Sequence, residues 1–359
     1  MTSRVRVSVI VPTYNERENI DELLSRIDAS LKGVDYEVIV VDDSSPDGTA
    51  EHVIELSSKY PVRLVKRAGK LGLSSAILDG VKVCEGEYVV VMDADLQHPP
   101  EVIRDLLQRV RECDVVIASR YVRGGGTAGF PLVRRIISLG ATFMARILIP
   151  QARRVKDPLS GFFLVKKAVI EKTKLAVPSG YKVLIEVLSQ HDNLKICEVP
   201  YIFRARVRGK SKLSEKEILN FVKQLLIIMP DYYKFAVVGA SGVLVNLGVV
   251  YFLSYALLIP HYIASVIGIE TSLINNFIWN DLWTFEKRRF GKCWWRFLKY
   301  HVSTAVGILA QYVASQITYY TLLRESLTSQ TLGILAGFIA NYLISKKYVW
   351  SRSKEKVAT

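Results

Sequence analysis

Long stretches without Lys, Arg, Asp or Glu dominate the C-terminal third of the chain. They cover residues 235–269, 300–323 and 326–345. The overlapping stretch 262–285 contains only Glu270 and Asp281. Because about 20 consecutive apolar residues are needed to cross the hydrocarbon core of a bilayer as a helix, these stretches predict a multi-pass integral membrane protein. The four predicted spans are 235–259, 262–285, 300–323 and 330–349.

The net charge of +14 is distributed unevenly around these spans. The loop Glu286–Lys299 carries six Lys or Arg residues, and the C-terminal tail is also basic, whereas the other two loops are short and nearly uncharged. By the positive-inside rule, the basic loop, both termini and the N-terminal domain are predicted to be cytoplasmic. The surplus therefore indicates a membrane surface and phosphate ligands, and no nucleic-acid partner is expected.

The apolar region contains an internal repeat. Residues 234–285 align without a gap to residues 299–350, with Gly242 matching Gly307 and Asn276 matching Asn341. Two helices per unit give both units the same topology, so a parallel two-helix repeat is predicted. The segment resembles the GtrA-like membrane family of small four-helix proteins linked to polyprenyl-phosphate sugars.

The first 215 residues alternate short apolar runs with amphipathic segments. This alternation predicts a parallel sheet with Rossmann-like winding. Strands are expected at 5–11, 37–41, 62–65, 88–92 and 115–118, and helices at 16–31, 47–59, 72–83 and 100–111. No G-x-G-x-x-G follows the first strand, which disfavours dinucleotide binding.

Two carboxylates, Asp93 and Asp95, follow the apolar run at 88–92. Residues i and i+2 of a strand point the same way, and the carboxyl ends of parallel strands border the ligand crevice. Polar groups also end the first two strands, at 12–16 and 42–43. Adjacent carboxylates repel unless a cation relieves them, and three polar strand ends at one edge of a sheet favour a ligand site there.

Five motifs carry a more specific resemblance. They are V-P-T-Y-N-E, V-D-D-S-S-P-D-G-T, D-A-D-L-Q-H-P-P-E, S-R-Y-V-R-G-G-G and D-P-L-S-G-F-F. Together they resemble the family 2 glycosyltransferases of the GT-A fold, and their order and spacing resemble the dolichyl-phosphate mannose synthases in particular. The resemblance implies metal-dependent, inverting transfer of mannose from GDP-mannose to dolichyl phosphate, giving dolichyl phosphate mannose and GDP.

The resemblance also implies a domain plan and a set of site residues. A GT-A catalytic domain spans 1–215, an amphipathic interface helix 216–229, and an all-α, four-helix GtrA-like transmembrane domain 230–359. The implied metal is Mg²⁺ or Mn²⁺ on Asp95, with Asp93 and Gln97 completing or orienting its ligand sphere. The expected catalytic residues are Asp95, Arg120 and Arg206. The expected nucleotide-binding residues are Pro12, Tyr14, Glu16, Val41, Asp43, Asp93, Ala94, Asp95, Gln97, Val122, Lys182, Arg206 and Lys212. Asp42 could turn inward in place of Asp43.

A phosphate acceptor changes what the site requires. A polyprenyl phosphate is already an oxyanion at neutral pH, so no general base is needed. The site needs cations to hold two phosphorylated partners together. The expected acceptor-phosphate residues are Arg120, Arg135, Ser138 and Arg206. Arg123 and Arg134 are further candidates, and the pattern F-x-x-R-x-x-G-x-S-K selects Arg206 over its neighbouring arginines.

Two further stretches, Val133–Ile149 and Ile218–Met229, have the pattern of interfacial amphipathic helices. The first could equally be a core helix, whereas the second leads directly into the first span. Glu270, inside a span, is a functional candidate, although a neutral carboxyl hydrogen-bonded between helices is favoured. Asp281 is expected at the membrane interface. The spacing of Cys84, Cys113, Cys197 and Cys293 predicts reduced thiols without a structural role.

Two alternative functions remain open. One is transfer of glucose or another sugar from a UDP donor to a polyprenyl phosphate. The other is a lipid-linked sugar flippase, for which a single intramembrane acid and a parallel repeat are weak support. A processive polysaccharide synthase is disfavoured because no Q-x-x-R-W follows the N-terminal domain.

Overall fold

The computed structural model describes residues 6–128, 132–177, 180, 182–204, 215–318, 320–321 and 326–350. The chain divides into two compact units, residues 1–229 and residues 230–359.

The first unit alternates strands and helices along the chain. Its strands are β1 (Arg6–Thr13), β2 (Asp35–Asp42), β3 (Val62–Lys66), β4 (Tyr88–Val91), β5 (Val115–Ser119), β6 (Gly126–Thr127), β7 (Phe163–Lys166), β8 (Ile196–Pro200) and β9 (Ile202–Phe203). Its α-helices are α1 (Arg17–Ser30), α2 (Thr49–Leu56), α3 (Leu73–Val83), α4 (Ile103–Gln108), α5 (Leu132–Leu148), α6 (Lys167–Ile170), α7 (Val183–Gln190) and α8 (Glu215–Ile228). The helix expected at 100–111 is shorter and is preceded by a 3₁₀ turn, Pro100–Val102.

Seven strands form one sheet in the order β3-β2-β1-β4-β7-β5-β8. The pairs β1–β2, β2–β3, β1–β4 and β5–β8 are parallel, as the alternation predicts. Strand β7 runs antiparallel between β4 and β5, so the sheet is mixed and the prediction of a wholly parallel sheet is wrong there. The four-residue β7 lies in a region where the sequence pattern predicted no strand.

Both faces of the sheet are buried, which explains why its strands read as continuous apolar runs. Val9 and Val90 pack with Ile20 and Leu23 of α1 on one face. Alternating residues such as Ile10 pack against α3 on the other. There Gly80 lies so close to the sheet that a Cβ on it would be 2.8 Å from Ile10 Cγ2. The carboxyl ends of β1, β2 and β4 are thereby held at one edge.

A disulfide joins Cys113 and Cys197, whose Cα atoms are 6.0 Å apart. The expectation of four reduced thiols is therefore wrong for this pair. The two residues are 84 positions apart in sequence, and the parallel pairing of β5 with β8 brings them together. Sequence spacing could not reveal that contact. Cys84 is buried and Cys293 is exposed, and neither is in a disulfide.

The second unit is helical. Its helices are α9 (Asp231–Tyr251), α10 (His261–Trp279), α11 (Cys293–Thr318) and α12 (Ser326–Ile344). Within the described part of the chain, α9 alone meets a combined test of length and hydropathy for crossing a bilayer. The four spans expected from the sequence therefore remain a prediction.

The internal repeat has a structural counterpart. Gly242 of α9 lies against Asn276 of α10, where an added Cβ would be 2.3 Å from Asn276 Oδ1. The equivalent Gly307 of α11 lies against Asn341 of α12, where that distance would be 1.8 Å. Matching π-helical turns, Asn280–Thr284 and Ser345–Val349, end the two repeats. Each helix pair is therefore held together by the same small-residue contact.

The two acidic residues of the predicted span 262–285, Glu270 and Asp281, both have partners. Asp281 is buried and accepts hydrogen bonds from Arg296 Nε (2.7 Å), Arg296 Nη2 (2.9 Å) and Trp350 Nε1 (2.8 Å), and its expected place at the membrane interface stays a prediction. Glu270 Oε1 lies 3.2 Å from His301 Nε2, joining α10 to α11. This contact agrees with the hydrogen-bonded interpretation of Glu270.

Candidate active site

A cavity of about 420 Å³ opens in the first unit beside the carboxyl end of β4. The segment after β4 contributes Asp93, Asp95, Gln97 and His98, and Arg120 follows β5. Lys182 precedes α7, and residues of α5 and α8 complete the lining. The three predicted metal ligands, Asp93, Asp95 and Gln97, thus line one cavity together with the predicted cations Arg120 and Lys182.

Hydrogen bonds orient the polar side chains of the turn after β4. Asp95 and Gln97 are buried, and Asp95 Oδ1 accepts the Gln97 backbone N–H at 3.1 Å. Gln97 Nε2 donates to the Arg204 carbonyl at 3.0 Å. Between them Leu96 adopts φ 61°, a left-handed conformation that costs a non-glycine residue energy and is typical of functional turns.

His98 supports this turn and was missed by the sequence reasoning, although it stands in the quoted motif D-A-D-L-Q-H-P-P-E. Its ring is buried, stacks on Phe162 with centroids 5.3 Å apart, and meets the edges of Tyr201 and Phe203. Burial lowers the pKa of His98 to about 4, so the ring is neutral at pH 7. Because Nδ1 accepts the Asp93 backbone N–H at 3.0 Å, the ring proton is on Nε2.

The donor set fits a hard divalent cation. Two carboxylates, Asp93 and Asp95, and the amide of Gln97 line one cavity, and oxygen atoms are the ligands that Mg²⁺ and Mn²⁺ prefer. Within the described ranges, no group of three or more His, Cys, Asp or Glu side chains is placed to hold a metal. Mg²⁺ in nucleotide sites is commonly bound by one or two carboxylates together with substrate phosphate oxygens, which the pair Asp93 and Asp95 matches.

Arg120 is held by Asp157, whose role the sequence reasoning also missed although D-P-L-S-G-F-F was singled out. Arg120 Nε and Nη2 each donate to Asp157 at 2.7 Å, and the Arg120 backbone N–H donates at 3.0 Å. Burial alone would lower the pKa of Arg120, but its hydrogen bonds to the Asp157 carboxylate and the charge of that group raise it overall. Arg120 is therefore a fixed cation in the cavity wall.

Lys182 is the second cation beside the carboxylates. Its Nζ donates to the Leu159 carbonyl at 3.0 Å. Burial, followed by the nearby positive charge of Arg120, lowers the pKa of Lys182 to about 8, and Asp93 and Asp157 oppose that shift. An anion in the cavity would favour the protonated lysine.

Helix α5 contributes Arg134 and Ser138, one helical turn apart, to the cavity lining. Ser138 Oγ lies 2.9 Å from the Tyr121 hydroxyl. Arg135, expected at the acceptor phosphate, is exposed and is not a lining residue, whereas the further candidate Arg134 is one. Successive helical residues differ by about 100° in direction, and sequence alone does not set that rotation.

The remaining predicted nucleotide residues are not among the lining residues of this cavity. They are Pro12, Tyr14, Glu16, Val41, Asp43, Ala94 and Val122. Pro12 and Val41 pair across the carboxyl ends of β1 and β2. Asp42 is fully buried and accepts hydrogen bonds from Thr13 Oγ1 of β1 and from the backbone N–H and hydroxyl of Ser45.

Asp43 has an unanticipated partner. Arg67 Nη1 donates to Asp43 Oδ1 at 2.6 Å, and both side chains are buried. The pair lies 24 positions apart and carries no local signal in sequence. Arg206 and Lys212, the two most specific motif cations, lie outside the described residues, so their predicted roles stay predictions.

Comparison with known proteins gives two family matches. Residues 8–174 match the model for glycosyl transferase family 2. Residues 234–350 match the model for the GtrA/DPMS transmembrane domain. The first unit is accordingly a GT-A, Rossmann-like domain, the second is a helical transmembrane domain, and the chain is a membrane protein.

Individual relatives cover most or all of the chain. A dolichol-phosphate mannosyltransferase of Pyrococcus furiosus is 44% identical over 97% of this chain and 100% of its own length. One of Saccharomyces cerevisiae is 38% identical over 62% of this chain and 86% of its own. A crystal structure of a mycobacterial protein matches with a TM-score of 0.50 at 20% identity, covering 63% of this chain and 75% of that one.

Proposed function

The chain belongs to the dolichol-phosphate mannosyltransferase family, and on that premise we propose that it transfers mannose from GDP-mannose to a dolichyl-type polyprenyl phosphate, releasing GDP. The observation that supports this most directly is the composition of one cavity. Two carboxylates, Asp93 and Asp95, share it with Arg120 and Lys182, while α5 and α8 add apolar side chains. A phosphate joined to a hydrocarbon chain requires both kinds of wall.

The proposed reaction is a single inverting displacement. A lipid phosphate oxygen attacks the anomeric carbon, the new bond to that oxygen forms, and the bond to the GDP β-phosphate breaks. The acceptor is already an anion, so no residue has to remove a proton. A divalent cation held by Asp93, Asp95 and Gln97 would stabilise the charge of the departing nucleotide.

The cations act by holding the two phosphorylated partners at reacting distance. Arg120, fixed by Asp157, and Lys182 flank the carboxylates. Arg134 and Ser138 of α5 line the same cavity, and we propose that both contact the acceptor phosphate, with Arg134 in place of Arg135. Arg206 is proposed as a further phosphate contact on its motif alone.

We also propose a membrane arrangement. α5 exposes Ile136, Leu139 and Phe143 and buries only Thr142 and Ala145, a pattern of a helix lying on a lipid surface and not of a core helix. The proposed topology has four spans, with the catalytic domain and both termini cytoplasmic. The support is the basic loop and the matched transmembrane domain.

Donor choice can be tested directly with the purified full-length protein. We would supply dolichyl phosphate and magnesium with either GDP-mannose or UDP-glucose and follow sugar entering the lipid phase. The proposal predicts mannosyl lipid with an equal amount of GDP. Formation of glucosyl lipid alone would refute GDP-mannose as the donor. Movement of preformed lipid-linked sugar across the membrane without nucleotide release would indicate a flippase.

A further inference from the structure

A buried glutamine on α8 is hydrogen-bonded both to α7 and to the residue that precedes α7. Gln224 of α8 is fully buried and donates from Nε2 to Glu186 Oε1 at 2.8 Å. The same amide nitrogen lies 3.3 Å from the Lys182 carbonyl, which accepts a second hydrogen bond. Glu186 is itself fully buried in α7. A hydrogen bond between two groups without solvent access is specific, because neither has water as a replacement partner.

Gly180 shows how closely this pair is fitted. A Cβ at Gly180 would be only 3.1 Å from Gln224 Nε2. The Gln224 amide can therefore lie against this backbone because glycine has no side chain. The Gly180 carbonyl accepts the Ser74 backbone N–H at 2.9 Å, and the Gly180 N–H donates to the Val177 carbonyl at 2.9 Å. The backbone at Gly180 is therefore fixed on one side by α3 and on the other by the Gln224 amide.

The pair connects two walls of the cavity. Gln224 bonds the backbone of Lys182, whose side chain lines the cavity together with Asp93 and Arg120. On the same helix Phe221 and Val222, less than one turn away, line the apolar wall. A shift of α8 would therefore move the apolar wall and the Lys182 backbone relative to each other.

We infer that Gln224 and Glu186 are positioning residues that hold Lys182 in register with the apolar wall of α8, so that one acceptor molecule can meet a phosphate-binding cation and a prenyl-binding surface together. This inference rests on the proposed transfer reaction. Neither residue lines the cavity, so each acts through Lys182 and α8 and not on the substrate.

A double-mutant cycle tests this role. Gln224→Met keeps the length of the side chain but removes both donors, and Lys182→Met removes the cation. In the full-length enzyme we expect Gln224→Met to raise the KM for dolichyl phosphate about tenfold with a smaller change in kcat. In the Lys182→Met background the same change should have little further effect. Additive effects on KM would overturn the inference.

Two controls separate positioning from loss of folding. Ile170→Val removes a methyl group from the fully buried Ile170, which does not line the cavity, and should combine additively with Lys182→Met. Glu186→Gln keeps an acceptor for Gln224 and should retain the wild-type KM, whereas Glu186→Met should match Gln224→Met. Equal effects of both Glu186 variants would contradict the inference. Absence of transfer by the wild type would instead contradict the proposed function.

Discussion

Arg120 and Asp157 form a bidentate ion pair in the cavity wall, with side chains that are 9% and 0% exposed. Asp157 also accepts the Arg120 backbone N–H, while its own backbone N–H donates to Glu198 Oε1 at 3.0 Å. The chain of contacts crosses from the end of β5 to β8. It fixes the direction of the guanidinium before any substrate binds, which reduces the reorganisation needed in a transfer step.

Asp157→Ala is predicted to lower the free energy of unfolding by about 3–5 kcal/mol, because it leaves Arg120 charged, buried and without its bidentate partner. Transfer should also fall in the variant that remains folded. The measurement is the denaturant midpoint of the detergent-solubilised protein. Glu112→Ala is the matched control, since its pair with Arg109 is exposed and contributes less than about 1 kcal/mol. Similar midpoints for the two variants would refute the role of Asp157.

Arg134→Ala should raise the KM for dolichyl phosphate by about 10–100-fold, because a charge-assisted contact from Arg134 to the acceptor phosphate is lost. Arg135→Ala, which removes the same charge from an exposed neighbour, should change that KM by less than about threefold. Steady-state kinetics with varied acceptor at saturating GDP-mannose measures both. A larger effect at Arg135 would restore the assignment made from sequence.

Among the predicted residues that line the cavity, Asp93, Asp95 and Arg120 follow strand ends, whereas Lys182 and Ser138 do not. The apolar run at 88–92 places Asp93 and Asp95 at a sheet edge, and the structure puts both in the cavity. What sequence reasoning missed depends on contacts between distant segments. Asp157 reaches Arg120 across 37 positions, and nothing local marks that pairing. The choice between Arg134 and Arg135 needed the rotation of α5.

The same distinction between local signals and distant contacts applies to the fold. Hydrophobic runs located β1 to β5, but the antiparallel β7 and the Cys113–Cys197 disulfide arise from sheet order, which periodicity does not encode. In the second unit the repeat was visible because Gly and Asn recur at matched positions. Their contact in space could not be derived from the alignment.

Gly307→Ala is predicted to destabilise the second unit by about 1–3 kcal/mol, because the added methyl would overlap Asn341 and push α11 from α12. Gly248→Ala is the control, since nothing lies within 4 Å of a Cβ at that helical position. That variant should be neutral or slightly stabilising. Thermal unfolding in detergent compares them, and equal midpoints would rule out a packing role for the glycine.

The contacts of Glu37 predict a pH-dependent contribution to the free energy of unfolding. Burial alone would raise the pKa of Glu37, but hydrogen bonds from Ser8 Oγ and the Glu85 N–H, both 2.6 Å, and the ion pair with Arg63 lower it overall. The stabilisation is therefore present above the unfolded pKa of about 4.3 and is lost as pH falls through the lower folded value.

Unfolding curves of wild type and Glu37→Gln should differ by a constant amount between about pH 5 and pH 8, and the difference should shrink below about pH 4. Glu112→Gln, at an exposed pair, should show a small difference throughout. A gap for Glu37→Gln that widens on acidification would contradict the assigned contacts.

The most direct test of the account is transfer by the reconstituted full-length protein with and without the cation site. Wild type in liposomes containing dolichyl phosphate should convert GDP-mannose to mannosyl lipid and GDP in equal amounts, with activity lost to a chelator and restored by Mg²⁺ or Mn²⁺. Asp95→Asn, nearly the same size but uncharged, should reduce turnover at least about 100-fold, because the cation loses a charged ligand. Unchanged, chelator-resistant transfer by Asp95→Asn would contradict the account.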